Sequence, residues 1–162
     1  MDPIDSITLL LGRLCTLEWS GDAGVLQSRL VQVGFEVARE APHRTDLLLV
    51  DVPIARCALY RTGRLECTVK IAMDPQLLDE DKWNDMHERF VASWCAARDR
   101  LASSLGPPQF DGRPGDPGMP DDEDAVRLAH WPQQGRQVSV QYRHEDRELP
   151  MRLVLVVTPI NQ

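Results

Sequence analysis

Apolar residues recur along this chain with two different periods, and the places where the period changes divide it into elements. Ile4, Ile7, Leu11 and Leu14 follow one another at spacings of 3, 4 and 3, one stripe of an amphipathic helix. Asp2 followed by Pro3 marks its start, because the carboxylate accepts an orphan backbone N–H and proline fits the first helical position. The helix is expected to run to about Leu17, where Trp19, Ser20 and Gly21 break it. Asp22 then caps a second short helix with Leu26, Leu30 and Val33 inward, and Gly34 suits the left-handed position after its last turn.

From Thr45 the helical period gives way to alternation. Residues 47–52 read as a first strand and 54–60 as a second, with Pro53 expected to confine one of them to a sheet edge. Arg61-Thr62-Gly63-Arg64 supplies a hairpin turn. Beyond it Leu65, Cys67, Val69, Ile71 and Met73 alternate with Glu66, Thr68, Lys70 and Ala72, the clearest two-residue period in the chain. After Asp74-Pro75 the period returns to helical: Trp83, Met86, Phe90, Trp94, Ala97, Leu101 and Leu105 mark a helix long enough to cross a sheet. Asp79, Glu80 and Asp81 load its first turn with the negative charge that the helix dipole favours, and Gly106 with two prolines ends it.

Residues 106–124 hold five prolines and four glycines and end in four consecutive acids, so a mobile surface loop with no packed element is expected there. Three further strands are predicted over 125–131, 137–142 and 150–158. In the last of them Val154 and Val156 add apolar residues to both faces, which places it inside the sheet. The order is two helices, about three strands, a long helix and about three strands, without an internal sequence repeat. It predicts one α+β domain over residues 1–162: an antiparallel sheet of about six strands with one long helix and two short N-terminal helices packed on one face.

Composition narrows the function classes. A chain of 162 residues with 43% hydrophobic and 27% charged positions is ordinary globular protein. No apolar run approaches the ~20 residues of a membrane span. The opening Met1-Asp2-Pro3-Ile4-Asp5 is acidic where a secretory leader is basic, so a cytoplasmic protein is expected. A net charge of −7 and a pI near 5.0 argue against nucleic acid, which needs a basic footprint, and for a basic partner.

Motifs of catalysis and metal binding are absent from the sequence. Cys15, Cys57, Cys67 and Cys95 are separated by 42, 10 and 28 positions, with no CxxC pair, and are expected to be buried, reduced small hydrophobes. His87 lacks a second histidine one helical turn on, and His144 sits in a charged turn, so no metal ligand set is expected. There is no GxSxG elbow, P-loop or GxGxxG, and the glycines of 112–118 are interrupted by prolines and flanked by acids, a poor cradle for phosphate. A binding module without cofactor is therefore expected; an enzyme would need His87 or His144 to line a cleft with perturbed carboxylates.

The candidate contact residues form three groups. Asp116, Asp121, Asp122, Glu123 and Asp124 make an acidic run and the segment 74–88 a second; such runs are either solvated charge or a patch that steers a basic partner. His144, Glu145 and Asp146 form a charged turn between two strands. Trp131, before Pro132, is either a core residue or an exposed aromatic anchor of the kind enriched at interfaces.

The run RLASSLGPPQF, the Pro/Gly segment after it, and LAHWPQQGRQVSVQYRHEDRELPMRLVLVV together resemble small bacterial immunity proteins encoded beside secreted polymorphic toxins. In those a long helix ends in Leu-Gly-x-Pro, a Trp-Pro strand follows and two strands close the sheet; LCTLEWSGDAGVLQSRLVQVGF is similar to their opening helix pair. The resemblance implies a cytoplasmic antidote for a cognate toxin; occlusion of that toxin is the expected mode, the acidic pI points to a basic partner, and a monomer or weak homodimer is expected. The resemblance carries over no catalytic residue. A secretion chaperone for an effector is the alternative binding role, and a small enzyme the third.

Overall fold

Aspartates start all three helices of the described residues. The structure is a computed structural model and describes residues 2–72, 79–120, 123–146 and 149–160. Helix α1 (Pro3–Cys15) has Asp2 accepting the Ile4 N–H at 2.9 Å, α2 (Ala23–Gln32) has Asp22 accepting from Val25 at 3.0 Å, and α3 (Glu80–Leu105) has Asp79 accepting from Lys82 at 2.9 Å. Gly34 and Gly106 follow α2 and α3 with positive φ of 97° and 85°, a region that favours glycine.

Among the described residues the sheet has eight strands, all paired antiparallel, rather than about six. They are β1 (Phe35–Ala41), β2 (Arg44–Leu49), β3 (Arg56–Tyr60) and β4 (Leu65–Ile71) before α3, and β5 (Phe110–Gly112), β6 (Arg127–Gln133), β7 (Arg136–Arg143) and β8 (Arg152–Pro159) after it. Their order in space is β1-β2-β3-β4-β8-β7-β6-β5. The chain thus runs a helical segment and a four-stranded meander twice, and the last strands of the two meanders pair at the centre. Helix α3 carries the chain from the centre to the far edge, where β5 begins the second meander.

Two of the eight strands escaped the pattern for separable reasons. β1 lies at the edge, only Phe35 in it is buried, and a register shift between Val37 and Arg39 breaks what alternation it has. β5 corrects the expectation that nothing ordered forms in residues 106–124: Phe110, Asp111 and Gly112 pair with His130, Ala129 and Leu128. Pro53 lies in the connection between β2 and β3, both interior strands, so it removes no ladder donor and marks no edge. The doubly apolar β8 lies inside the sheet, as its pattern predicts. Met73, Asp74 and Pro75 fall outside the described residues.

One hydrophobic cluster joins the helices to alternate positions of the sheet: Leu10, Leu14, Leu30, Phe90, Trp94 and Leu101 pack with Leu47, Cys57, Leu65, Val140, Tyr142 and Leu155. Polar anchors orient the layers. Arg136 reaches from β7 to the end of α1 and the turn after it, donating to the Leu14 carbonyl at 2.7 Å and the Leu17 carbonyl at 2.9 Å, and Trp94 donates to the Val140 carbonyl at 3.1 Å. The β3–β4 turn docks on the α1–α2 turn, where Trp19 donates to the Gly63 carbonyl at 3.1 Å. Gly63 has φ 78°, and a Cβ there would stand 2.7 Å from the Ser20 carbonyl oxygen, so the turn residue is glycine on both counts.

Candidate functional site

The opposite register of the same strands, Glu66 and Thr68 on β4, Val154 and Val156 on β8, Ser139, Gln141 and Arg143 on β7, forms the other face of the sheet, and most of it is buried too. At its centre lies an ionic cluster. Arg64 forks onto Glu123 with both Nη–Oε distances at 3.0 Å and donates Nε to Glu66 at 2.9 Å. Arg143 donates to Glu66 at 3.1 Å and to Gln141 at 2.7 Å, while Gln141 donates to Glu123 at 3.0 Å and to Ser139 at 3.1 Å. Burial would raise the Glu66 carboxyl, but Arg143 and Arg64 outweigh it and hold the group below its ordinary value. Burial also opposes the charge of Arg64, yet Glu123 and Glu66 keep its guanidinium above the usual range. Through Glu123 this cluster ties the Pro/Gly-rich segment to the sheet.

Two concave surfaces open beside the cluster. The first, about 530 Å³, is lined by Pro114, Glu123, Asp124, Val126, His144 and Glu145, and a smaller one at Asp116 and Met119 shares Pro114 and Glu123 with it. The second, about 590 Å³, is cationic: Arg61, Arg64, Arg143 and Arg152 line it with Tyr60 and Glu66. Glu145 belongs to both and is ion-paired with Arg152. A cleft lined by three carboxylates, of which Glu123 and Glu145 are paired to arginines and Asp124 is exposed, therefore adjoins a groove lined by four arginines, of which Arg64, Arg143 and Arg152 are paired to those carboxylates and Glu66.

No family model, curated protein or solved structure matches the chain.

The fold brings the acidic run and the charged turn together, since Glu123 and Asp124 share the first cleft with His144 and Glu145. Asp116 lies in the adjoining hollow and accepts the Arg113 N–H at 2.9 Å; Asp124 and Asp146 are exposed. Asp121 and Asp122 lie outside the described residues, as do Arg147 and Glu148 of the charged turn. Two of the candidates have other work. Glu123, whose side chain is 9% exposed, is internally paired rather than solvated. Trp131 is 1% exposed and donates to the Gly106 carbonyl at 2.8 Å, so it is a core residue that fastens the end of α3 and not an exposed anchor.

His87 and His144, far apart in the sequence, gather around Trp83. Trp83 stacks on His87 at 5.3 Å and lies 5.4 Å from His144, and His87 Nδ1 meets the Tyr142 hydroxyl at 2.7 Å. Burial, with Arg127 nearby, lowers the His87 pKa, and burial pushes Tyr142 up to about 12. Among the described residues no group of three or more His, Cys, Asp or Glu is arranged to hold a metal ion, and no helix is long and apolar enough to cross a membrane. The cysteines divide: Cys57 and Cys67 are buried as expected, Cys95 is half-buried, and Cys15, at the end of α1, is exposed. Sequence reading missed Arg64, Gln141 and Arg143. Their signal was weak but present, since Gln141 and Arg143 are polar positions of a strand whose other face is apolar.

Proposed function

We propose that this chain is a binding module rather than an enzyme: an immunity-type protein that occludes a basic toxin domain with the surface around Asp116, Asp124, Glu145 and Asp146. The observation that carries the reading is the convergence of residues 123–126 and 144–145 on one acidic cleft. Carboxylates clustered on a concave, rigidly backed surface steer a cationic partner and fix its register. The ionic cluster supplies that backing, because it holds the segment bearing Asp124 against the sheet instead of leaving it in solvent. The partner belongs in the cytoplasm with the antidote. The test is growth of a host expressing the neighbouring toxin gene with and without this chain. Protection by the wild type that fails for Asp124→Lys with Glu145→Lys, at unchanged folded content, supports the reading; equal protection by both overturns the assignment of the surface, and no protection by either overturns the role. A secretion chaperone would instead capture an extended or N-terminal effector segment and leave the folded toxic domain unbound.

A further inference from the structure

Cys57 and Cys67 stand directly opposite each other on β3 and β4, with Sγ atoms 3.0 Å apart. The kind of pair they form follows from the hairpin. Tyr60 donates to the Arg64 carbonyl at 2.8 Å, which makes that pair a hydrogen-bonded one. Antiparallel pairs alternate, so Ala58 and Glu66 are again hydrogen-bonded, and Cys57 and Cys67, one step further, are not. Non-hydrogen-bonded partners bring their Cα atoms to about 4.5 Å, inside the roughly 4.4–6.8 Å that a disulfide spans without backbone movement. Both side chains lie in the helix-facing core beside Leu59 and Leu65.

We propose that Cys57 and Cys67 are a modification site: a dithiol that closes to a reversible cross-strand disulfide on exchange with a small-molecule disulfide oxidant such as oxidised glutathione. One thiolate attacks a sulfur of the oxidant and expels the first thiol, leaving a mixed disulfide. The second thiolate attacks the protein sulfur of that mixed disulfide, forms the Sγ–Sγ bond and expels the second thiol. Two protons and two electrons pass from the pair to the oxidant, which leaves as two thiols. The contact with Cys57 and burial together push the Cys67 thiol up, so the closed hairpin is unreactive and exchange runs through its opening. The bond locks the turn that carries Arg64, the anchor of Glu123.

The test uses the full chain with Cys15→Ser and Cys95→Ser, which leaves only the pair, incubated with oxidised glutathione. Intact mass should fall by about 2 Da, the two hydrogens lost on forming one disulfide. Trypsin should release residues 57–61 joined to 65–70. The melting temperature should rise by about 5 °C or more, as expected for a ring of this size, and return with dithiothreitol. Urea below the unfolding transition should speed the reaction. Two glutathione adducts without the linked peptide, or unchanged mass even in such urea, overturns the proposal.

Discussion

Glu123 lies in a segment that its prolines, glycines and acids mark as loop, and replacing it with alanine should nonetheless destabilise the fold substantially. Three hydrogen bonds of 3.0 Å end on its carboxylate, two from Arg64 and one from Gln141. A hydrogen bond to a charged group contributes about 1.5–3 kcal/mol, and breaking a buried ion pair by removing one partner costs about 3–5 kcal/mol. The cost falls at or just below the bottom of the ion-pair range, because Arg64 and Arg143 both keep Glu66, at 2.9 and 3.1 Å, and the Arg64 side chain is 21% exposed. The expected loss is therefore about 2–3 kcal/mol, or a fall in melting temperature of roughly 4–12 °C for a chain of this size. Urea unfolding followed by tryptophan fluorescence measures it, with Asp124→Asn as the control. Asp124 is exposed, so its change should stay within about 0.5 kcal/mol. A double-mutant cycle with Arg64→Met should return a coupling of at least about 1 kcal/mol. If Glu123→Ala costs no more than Asp124→Asn and the cycle is additive, the cluster does not anchor the segment.

Three further outcomes follow from the same packing. Arg136→Leu should lose about 1–3 kcal/mol in urea unfolding, because it removes the side-chain donor of the half-buried Leu17 carbonyl and one of the two donors to Leu14, whose carbonyl also accepts the Leu17 N–H at 3.2 Å. Trp131→Phe should lose about 1–3 kcal/mol by leaving the Gly106 carbonyl unpaired, and should leave partner affinity unchanged, since the ring is buried; weakened binding with intact folding contradicts its place in the core. His130 is buried, no partner bonds its Nδ1 among the described residues, and burial lowers its pKa below 6.5. The neutral ring is thus favoured in the folded state, so its contribution to stability is complete above 6.5 and is lost as pH falls from there to the lowered value. Thermal melts across that window should show stability falling with acid, and His130→Phe should flatten the slope.

Much of the fold was legible because its helices and strands each turn an apolar face to one core, although the opposite face of the central strands is buried as well. The aspartate caps at Asp2 and Asp22 and the stripe from Phe90 to Leu101 are local signals that the structure uses; the alternation from Leu65 holds through Val69, but a register shift follows Thr68, Thr68 is buried and Ile71 is exposed. β1 was not legible, since an edge strand with charged residues at Glu36, Arg39 and Glu40 has little to bury. Nor was β5, whose three residues are strand only because β6 lies beside them. The acidic residues were found by charge alone, and charge alone does not separate a solvated carboxylate such as Asp124 from a paired one such as Glu123. That difference depends on Arg64, 59 positions away, and on Gln141, 18 positions away. Trp131 is the converse case: Pro132 after it suggested a strand end, yet the strand continues to Gln133 and the ring points into the core.

The central claim is that the acidic cleft holds a cationic protein partner, and the most direct test is the affinity of this chain for the purified toxic domain of its gene neighbour, measured across a salt series. The account predicts a one-to-one complex that weakens as salt rises and loses at least about tenfold in affinity with Asp124→Lys and Glu145→Lys together. Absence of a complex, or a complex indifferent to both salt and charge reversal, contradicts it.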